Sequence, residues 1–180
     1  MPDNNHLPQR KRMRLQGYDY ALPGNYFVTI VTHERACLFG DVVSGEMQLN
    51  DAGRMVESSY LKLGQDYDGI DCLDYVIMPN HLHFIIRLLS GNHSLPEIIK
   101  RLKSKTTVNY IHGVREQGWS AFDKHLWQPN YYDHIIRNER VFNLIRSYIF
   151  QNPERWYYDK INPECSATPD DLNQAIKSLM

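Results

Sequence analysis

The sequence predicts an α+β domain built on one antiparallel sheet. Three observations carry that expectation. Two strand-like runs, residues 69–78 (GIDCLDYVIM) and 81–89 (HLHFIIRLL), are separated only by Pro79-Asn80. Stretches of helical apolar spacing alternate with strand-like ones along the chain. The resulting order is β-α-β-β-α-β with one more helix behind it. A two-residue connection joins antiparallel neighbours, because a parallel pair needs a crossover of a dozen or more residues.

Taken in order, residues 26–34 (YFVTIVTHE) are rich in β-branched and aromatic side chains and read as the first strand, after the breaker pair Pro23-Gly24. GEMQLND reads as a short extended piece. Asn50 or Asp51 then caps a first helix carrying Met55, Val56, Tyr60, Leu61 and Leu63. The two runs around Pro79-Asn80 supply the second and third strands. Ser94 begins a second helix, with Pro96 and Glu97 in its first turn and Ile98, Ile99, Leu102 and Thr106 along one face, ending near Gly118. Residues 126–137 (LWQPNYYDHIIR) are read as a fourth strand, with Pro129 arguing for an edge or a bulge. Asn138 caps a third helix whose apolar positions are Val141, Leu144, Ile145, Tyr148 and Ile149, and Pro153 stops it. This is the split βαβ, ferredoxin-like arrangement: an antiparallel sheet with two helices covering one face, plus a C-terminal helix that carries Tyr148.

Composition bounds the rest. With 180 residues, 42% hydrophobic and 23% charged, the chain suits one soluble domain with tails: an arm over residues 1–24, a folded body over 25–160 and a tail over 161–180. No apolar run approaches the ~20 residues of a membrane span, and the polar, basic N-terminus has no apolar segment behind it, so a cytoplasmic protein is expected. Cys37, Cys72 and Cys165 are widely separated, form no CxxC pair and read as reduced thiols. The net charge of −1 hides a segregation: Arg10, Lys11, Arg12 and Arg14 make a basic arm, while Asp170 and Asp171 make the C-terminus acidic. Lys100, Arg101, Lys103 and Lys105 crowd the second helix. Both basic groups are candidates for tracking DNA phosphates, against the plain alternative of solvated surface.

The chemistry starts at MPNHLHFII. Successive strand side chains point to opposite faces, so His81 and His83 share a face, roughly 6.5–7 Å apart along the strand. Two imidazoles so placed can converge on one ion, on the face that the two helices leave open; a pair of exposed strand histidines is the alternative. Two histidines without a thiolate do not resemble a closed structural zinc centre, and they leave room for phosphate oxygens that a metal would polarise.

MPNHLHFII, followed by LWQPNYYDHIIRNE and SYIFQNP, resembles the HUH single-tyrosine transposases of the IS200/IS605 kind, most closely the branch called REP-associated tyrosine transposases. The resemblance spans about residues 25–156, with the segments in the family's order. It implies that His81 and His83 bind a divalent metal, Mg²⁺ or Mn²⁺. It also implies that Tyr148 is the nucleophile, with Tyr110 on the second helix as the rival. Asn152 lies one helical turn beyond Tyr148 and can offer its amide oxygen to the same metal, where the insertion-sequence enzymes commonly carry Gln. The implied partner is single-stranded or hairpin DNA, REP-like repeats among the candidates, bound by a nucleoid-associated protein that is a monomer or a homodimer. The implied reaction is cleavage and strand transfer through a 5′-phosphotyrosine. Two other classes stay open: a catalytically idle nucleic-acid-binding module, and a metal-dependent phosphoesterase that uses water.

Overall fold

The computed structural model describes Leu15 and residues 17–165. Its elements are β1 (Gly24–Val31), β2 (Gly40–Val43), β3 (Glu46–Leu49), α1 (Asp51–Leu61), α2 (Leu63–Asp66), β4 (Ile70–Met78), β5 (His81–Leu88), α3 (Leu95–Gln117), β6 (Tyr132–Ile136) and α4 (Glu139–Gln151), with 3₁₀ turns at His33–Arg35 and Trp156–Tyr158. Four strands form one sheet in the order β4-β5-β1-β6, every neighbouring pair antiparallel. β1 therefore runs parallel to β4 with β5 between them, and β5 runs parallel to β6 with β1 between them. Each such pair is connected through a helix, α1 or α3. The expected α+β class, with its antiparallel sheet, is the one observed.

Local chemistry sets the element ends. Asn50 accepts a hydrogen bond from the Gly53 amide and Asn138 one from Val141, each satisfying an amide that the first helical turn leaves without an intrahelical partner. Gly118, in the left-handed region at φ 71°, terminates α3. Pro79-Asn80 is the tight reversal predicted, with Met78 opposite His81.

Two differences from the expected elements have physical causes. The fourth strand begins only at Tyr132, since residues 126–131 run as a loop that touches the sheet at one bridge, Thr32 to Trp127. Pro129 cannot donate to a ladder, and the Lys103 ammonium gathers the carbonyls of Gln128 and Asn130, at 2.8 and 3.0 Å, that a strand would have spent on a neighbour. The short extended piece 46–49 is half of a hairpin with β2, turned at Ser44-Gly45, where both residues have positive φ.

The core lies in two layers, one on each side of the sheet. Val28, Ile30, Leu82, Phe84 and Ile86 pack under α1 and α3, together with Val56, Tyr60, Ile98, Leu102 and Tyr110. On the other side Phe27 and Ile85 pack under α4 through Val141, Ile145, Tyr148 and Ile149. Full burial of an aliphatic or aromatic side chain is worth about 1.5–3 kcal/mol, so α4 is held by its apolar stripe as well as by its cap. Among the described residues no helix is long and apolar enough to cross a membrane.

Candidate active site

The second layer overturns one expectation. The face opposite α1 and α3 is not open at the histidines: α4 and the segment that follows it cover them, leaving His81 0% and His83 3% exposed. Alternation along β5 turns both rings to this side, and the register of β1 sets Val31 opposite His81 and Thr29 opposite His83. The rings converge to 4.4 Å between centroids.

Each imidazole is oriented through its Nδ1. Asn80 donates from Nδ2 to the carbonyls of Arg35 and Ile161, both at 2.9 Å, which fixes its amide so that Oδ1 can only accept. The His81 Nδ1–H donates to that Oδ1 at 2.9 Å, and the Nε2 lone pair is left pointing into the site. His83 Nδ1 is 2.7 Å from the Thr29 hydroxyl, and the ring stacks on Phe27. Burial drives the pKa of His81 down to about 3, partly offset by the facing Asn152 amide. His83 is likewise held well below the ordinary imidazole value by burial and by its neighbour His81. Both rings are therefore neutral near pH 7, the form that binds metals.

α4 supplies the next two groups. Tyr148 is buried with its hydroxyl 3.3 Å from His83 Nε2, wedged edge-on against Phe27. Asn152, one turn on, is 2% exposed. Although its amide faces His81, neither Asn152 Oδ1 nor His81 Nε2 completes a hydrogen bond of ordinary geometry. The chain then turns through Trp156, whose ring lies 6.0 Å from His81, and brings Asp159 Oδ2 to 3.7 Å from His81 Nε2. With His81 neutral that approach is not an ion pair, and it is too long for a hydrogen bond. One ligand atom each from His81, His83 and Asp159 lie within 4.8 Å of one another. Two imidazole nitrogens, an amide oxygen and a carboxylate, all lone-pair donors, fit a divalent cation with oxygen and nitrogen ligands.

Of the residues singled out from the sequence, His81, His83, Tyr148 and Asn152 come together here. Tyr110 does not: it projects from α3 into the core on the opposite side of the sheet, packed on Trp119 and Phe122, and donates to the Ser120 carbonyl at 2.9 Å. Lys100, Arg101, Lys103 and Lys105 belong to that same far helix. Arg101 pairs with Glu97 at 2.7 Å, Lys105 with Asp66 at 2.8 Å, and Lys103 holds the loop carbonyls before β6. Trp127 and Tyr131 are in the α1/α3 core, whereas Tyr132 lies on the histidine side against Phe27. Arg10, Lys11, Arg12 and Arg14 lie outside the described residues. Sequence reasoning took Asn80 only as a turn former and passed over Asp159. The polar pair Asn80-His81 next to a strand start was the available signal for the first; nothing local in WYYDKIN marks the second.

The fold and site define an α+β protein in which a helix-borne tyrosine faces a buried histidine pair on a sheet. Residues 25–152 match the family described as Transposase IS200 like, and the chain belongs to that family. An uncharacterised protein of Haemophilus influenzae is 33% identical over 172 residues, covering 88% of this chain and 96% of that one. The REP-associated tyrosine transposase of Escherichia coli K12 is 28% identical over 79 residues, 44% of this chain and 41% of its own length. A solved structure of a REP-associated tyrosine transposase bound to a REP hairpin shares the fold, with a TM-score of 0.57 at 18% identity over 91% of this chain and 85% of that one.

Proposed function

We propose that the protein is a divalent-metal-dependent strand transferase that binds single-stranded or hairpin DNA, REP-like repeats included, and cuts it through Tyr148. The observation that carries this reading is the Tyr148 hydroxyl 3.3 Å from His83 Nε2, beside His81 and Asn152. His81, His83 and Asn152 would hold Mg²⁺ or Mn²⁺, which when bound supplies Lewis-acid polarisation of the scissile phosphate. Tyr148 Oη forms the bond to phosphorus, the P–O3′ bond breaks, and the proton lost by the phenol is balanced by one gained on the 3′ oxygen. The products are a 5′-phosphotyrosine and a free 3′-OH. The linkage retains the phosphodiester's energy, so a later 3′-OH can reverse the step and join strands without a nucleotide cofactor.

His83 Nε2 has one lone pair. With the ring proton on Nδ1 beside Thr29, Nε2 could accept the Tyr148 hydrogen or hold a metal, but not both, so a metal bound there would free the phenol from His83. Asn80 and Thr29 hold the two rings in place through Nδ1 whichever state obtains. We assign the basic arm, Arg10, Lys11, Arg12 and Arg14, to DNA phosphates, and give the basic residues of α3 a peripheral part at most, since they sit behind the sheet.

Incubating the protein with end-labelled hairpin and single-stranded oligonucleotides in Mn²⁺ tests this. A covalent protein–DNA adduct is expected from the wild type and from Tyr110→Phe, and none from Tyr148→Phe, which keeps nearly the same aromatic volume. Adduct formed by Tyr148→Phe would overturn the assignment of the nucleophile. Cleavage without adduct would favour the water-using phosphoesterase, and DNA binding with neither would favour the idle binding module.

A further inference from the structure

Asp159 is left without a part in the reaction above, yet it is brought to the histidines with some care. It is 8% exposed, and its Oδ1 accepts from the Ile161 amide at 2.8 Å, which turns Oδ2 toward His81. The segment carrying it is tied to the sheet at two carbonyls: Ile161 to Asn80 Nδ2 at 2.9 Å, and Lys160 to Arg35 Nη1 at 2.8 Å. Asn80 thus orients the His81 ring and anchors the segment that brings the carboxylate to it. Around the same point, His81 Nε2 and Asn152 Oδ1 are buried with no completed hydrogen bond, and both are acceptors. A divalent cation among His81 Nε2 and Asn152 Oδ1 would satisfy both acceptors together.

We infer that Asp159 supplies the anionic ligand of the divalent-cation site, so that cation binding fastens the segment after α4, residues 156–162, to the sheet. This rests on the metal-dependent reading of the histidine pair. A carboxylate adds a hard oxygen and a negative charge to two neutral imidazoles and a neutral amide, the donor change that most favours Mg²⁺ or Mn²⁺. It also makes the cation a bridge between two parts of the chain: β5 contributes the imidazoles, and the post-helical segment contributes the carboxylate. Asn152 and Asp159 both follow Tyr148 in the chain, so the cation would hold α4 by its C-terminal end.

Mn²⁺ alone is the probe, with affinity read by calorimetry or by the loss of free Mn²⁺ signal in electron paramagnetic resonance. Asp159→Asn keeps the side-chain acceptor for the Ile161 amide and removes only the charge. It is expected to weaken Mn²⁺ binding at least about ten-fold, since even residues behind the ligands typically cost 10–100-fold, while its urea midpoint in EDTA stays near that of the wild type. Mn²⁺ should also slow tryptic cleavage after Arg155 and Lys160 in the wild type, a measurement that needs no variant. Wild-type affinity in Asp159→Asn, or no protection by Mn²⁺, would overturn this inference. If His81→Ala still lost Mn²⁺ in either case, the metal reading of the histidines would stand without it. A wild type that bound no Mn²⁺ at all would overturn both.

Discussion

Asn80 shows how much of the site rests on one buried side chain. Fully buried, it accepts from His81 and donates to two backbone carbonyls far apart in sequence, those of Arg35 and Ile161. Asn80→Ala removes the partner of the buried His81 Nδ1–H and of two part-buried carbonyls. Unsatisfied buried groups cost about 1–3 kcal/mol each before relaxation, and we expect a net loss of about 2–4 kcal/mol in urea unfolding. The His81 ring also loses its fixed orientation, so Mn²⁺ affinity should fall about 10–100-fold. A variant with unchanged stability would mean that the turn, and not the side chain, is what position 80 provides.

For the helices, packing overrides propensity at a definable point. Gly53 lies in the first turn of α1, where Ala would ordinarily gain about 0.5–1 kcal/mol by restricting the unfolded chain. Here a Cβ would run into the Phe39 carbonyl oxygen, a backbone atom that cannot swing away, and would also crowd Leu49. The close approach is what lets the β2–β3 hairpin seat on α1, with Asn50 donating to the Leu38 carbonyl and accepting from Gly53. Gly53→Ala should therefore destabilise by about 1–3 kcal/mol, read as a lowered urea midpoint, in the opposite direction to its helix propensity.

Across the molecule, two neutral histidines inside the second core layer tie stability to pH. Their folded pKa values lie below the ordinary 6.5, His81 at about 3 and His83 lowered in the same direction. The stabilisation from keeping them neutral is therefore complete above pH 6.5 and is lost as the pH falls from there toward 3, because the unfolded chain takes up protons that the folded one refuses. Each histidine contributes a slope of about 1.4 kcal/mol per pH unit in that window. In EDTA, unfolding free energy should decline steeply from pH 6.5 to 5, with His134, lowered by burial, adding in the same sense. The His81→Gln, His83→Gln double variant should show a much shallower decline, and parallel curves for the two proteins would contradict this account. Saturating Mn²⁺ should raise the wild-type curve most at neutral pH, since it competes with protons for the same nitrogens.

The amino-acid sequence determined what repeats along the chain. A period of two places His81 and His83 on one face of a strand; a period of 3.6 places Tyr148 and Asn152 on one face of a helix. Caps such as Asn50 and Asn138, and the Pro79-Asn80 reversal, mark the boundaries with local hydrogen bonds and fixed dihedrals. What periodicity states is which side chains share a face of their own element. It does not state which element that face will meet. That α4 closes over the histidines, that α3 carries its basic residues behind the sheet, and that residues 126–131 give up pairing to Lys103 are all results of packing. The contacts that complete the site join residues 65 and 81 positions apart, Tyr148 to His83 and Asn80 to Ile161. Asp159 has no local signature because its neighbours in sequence do nothing to reveal it; only when the chain turns after Pro153 and anchors on Asn80 and Arg35 does a carboxylate reach two imidazoles, and only the tertiary structure could decide that.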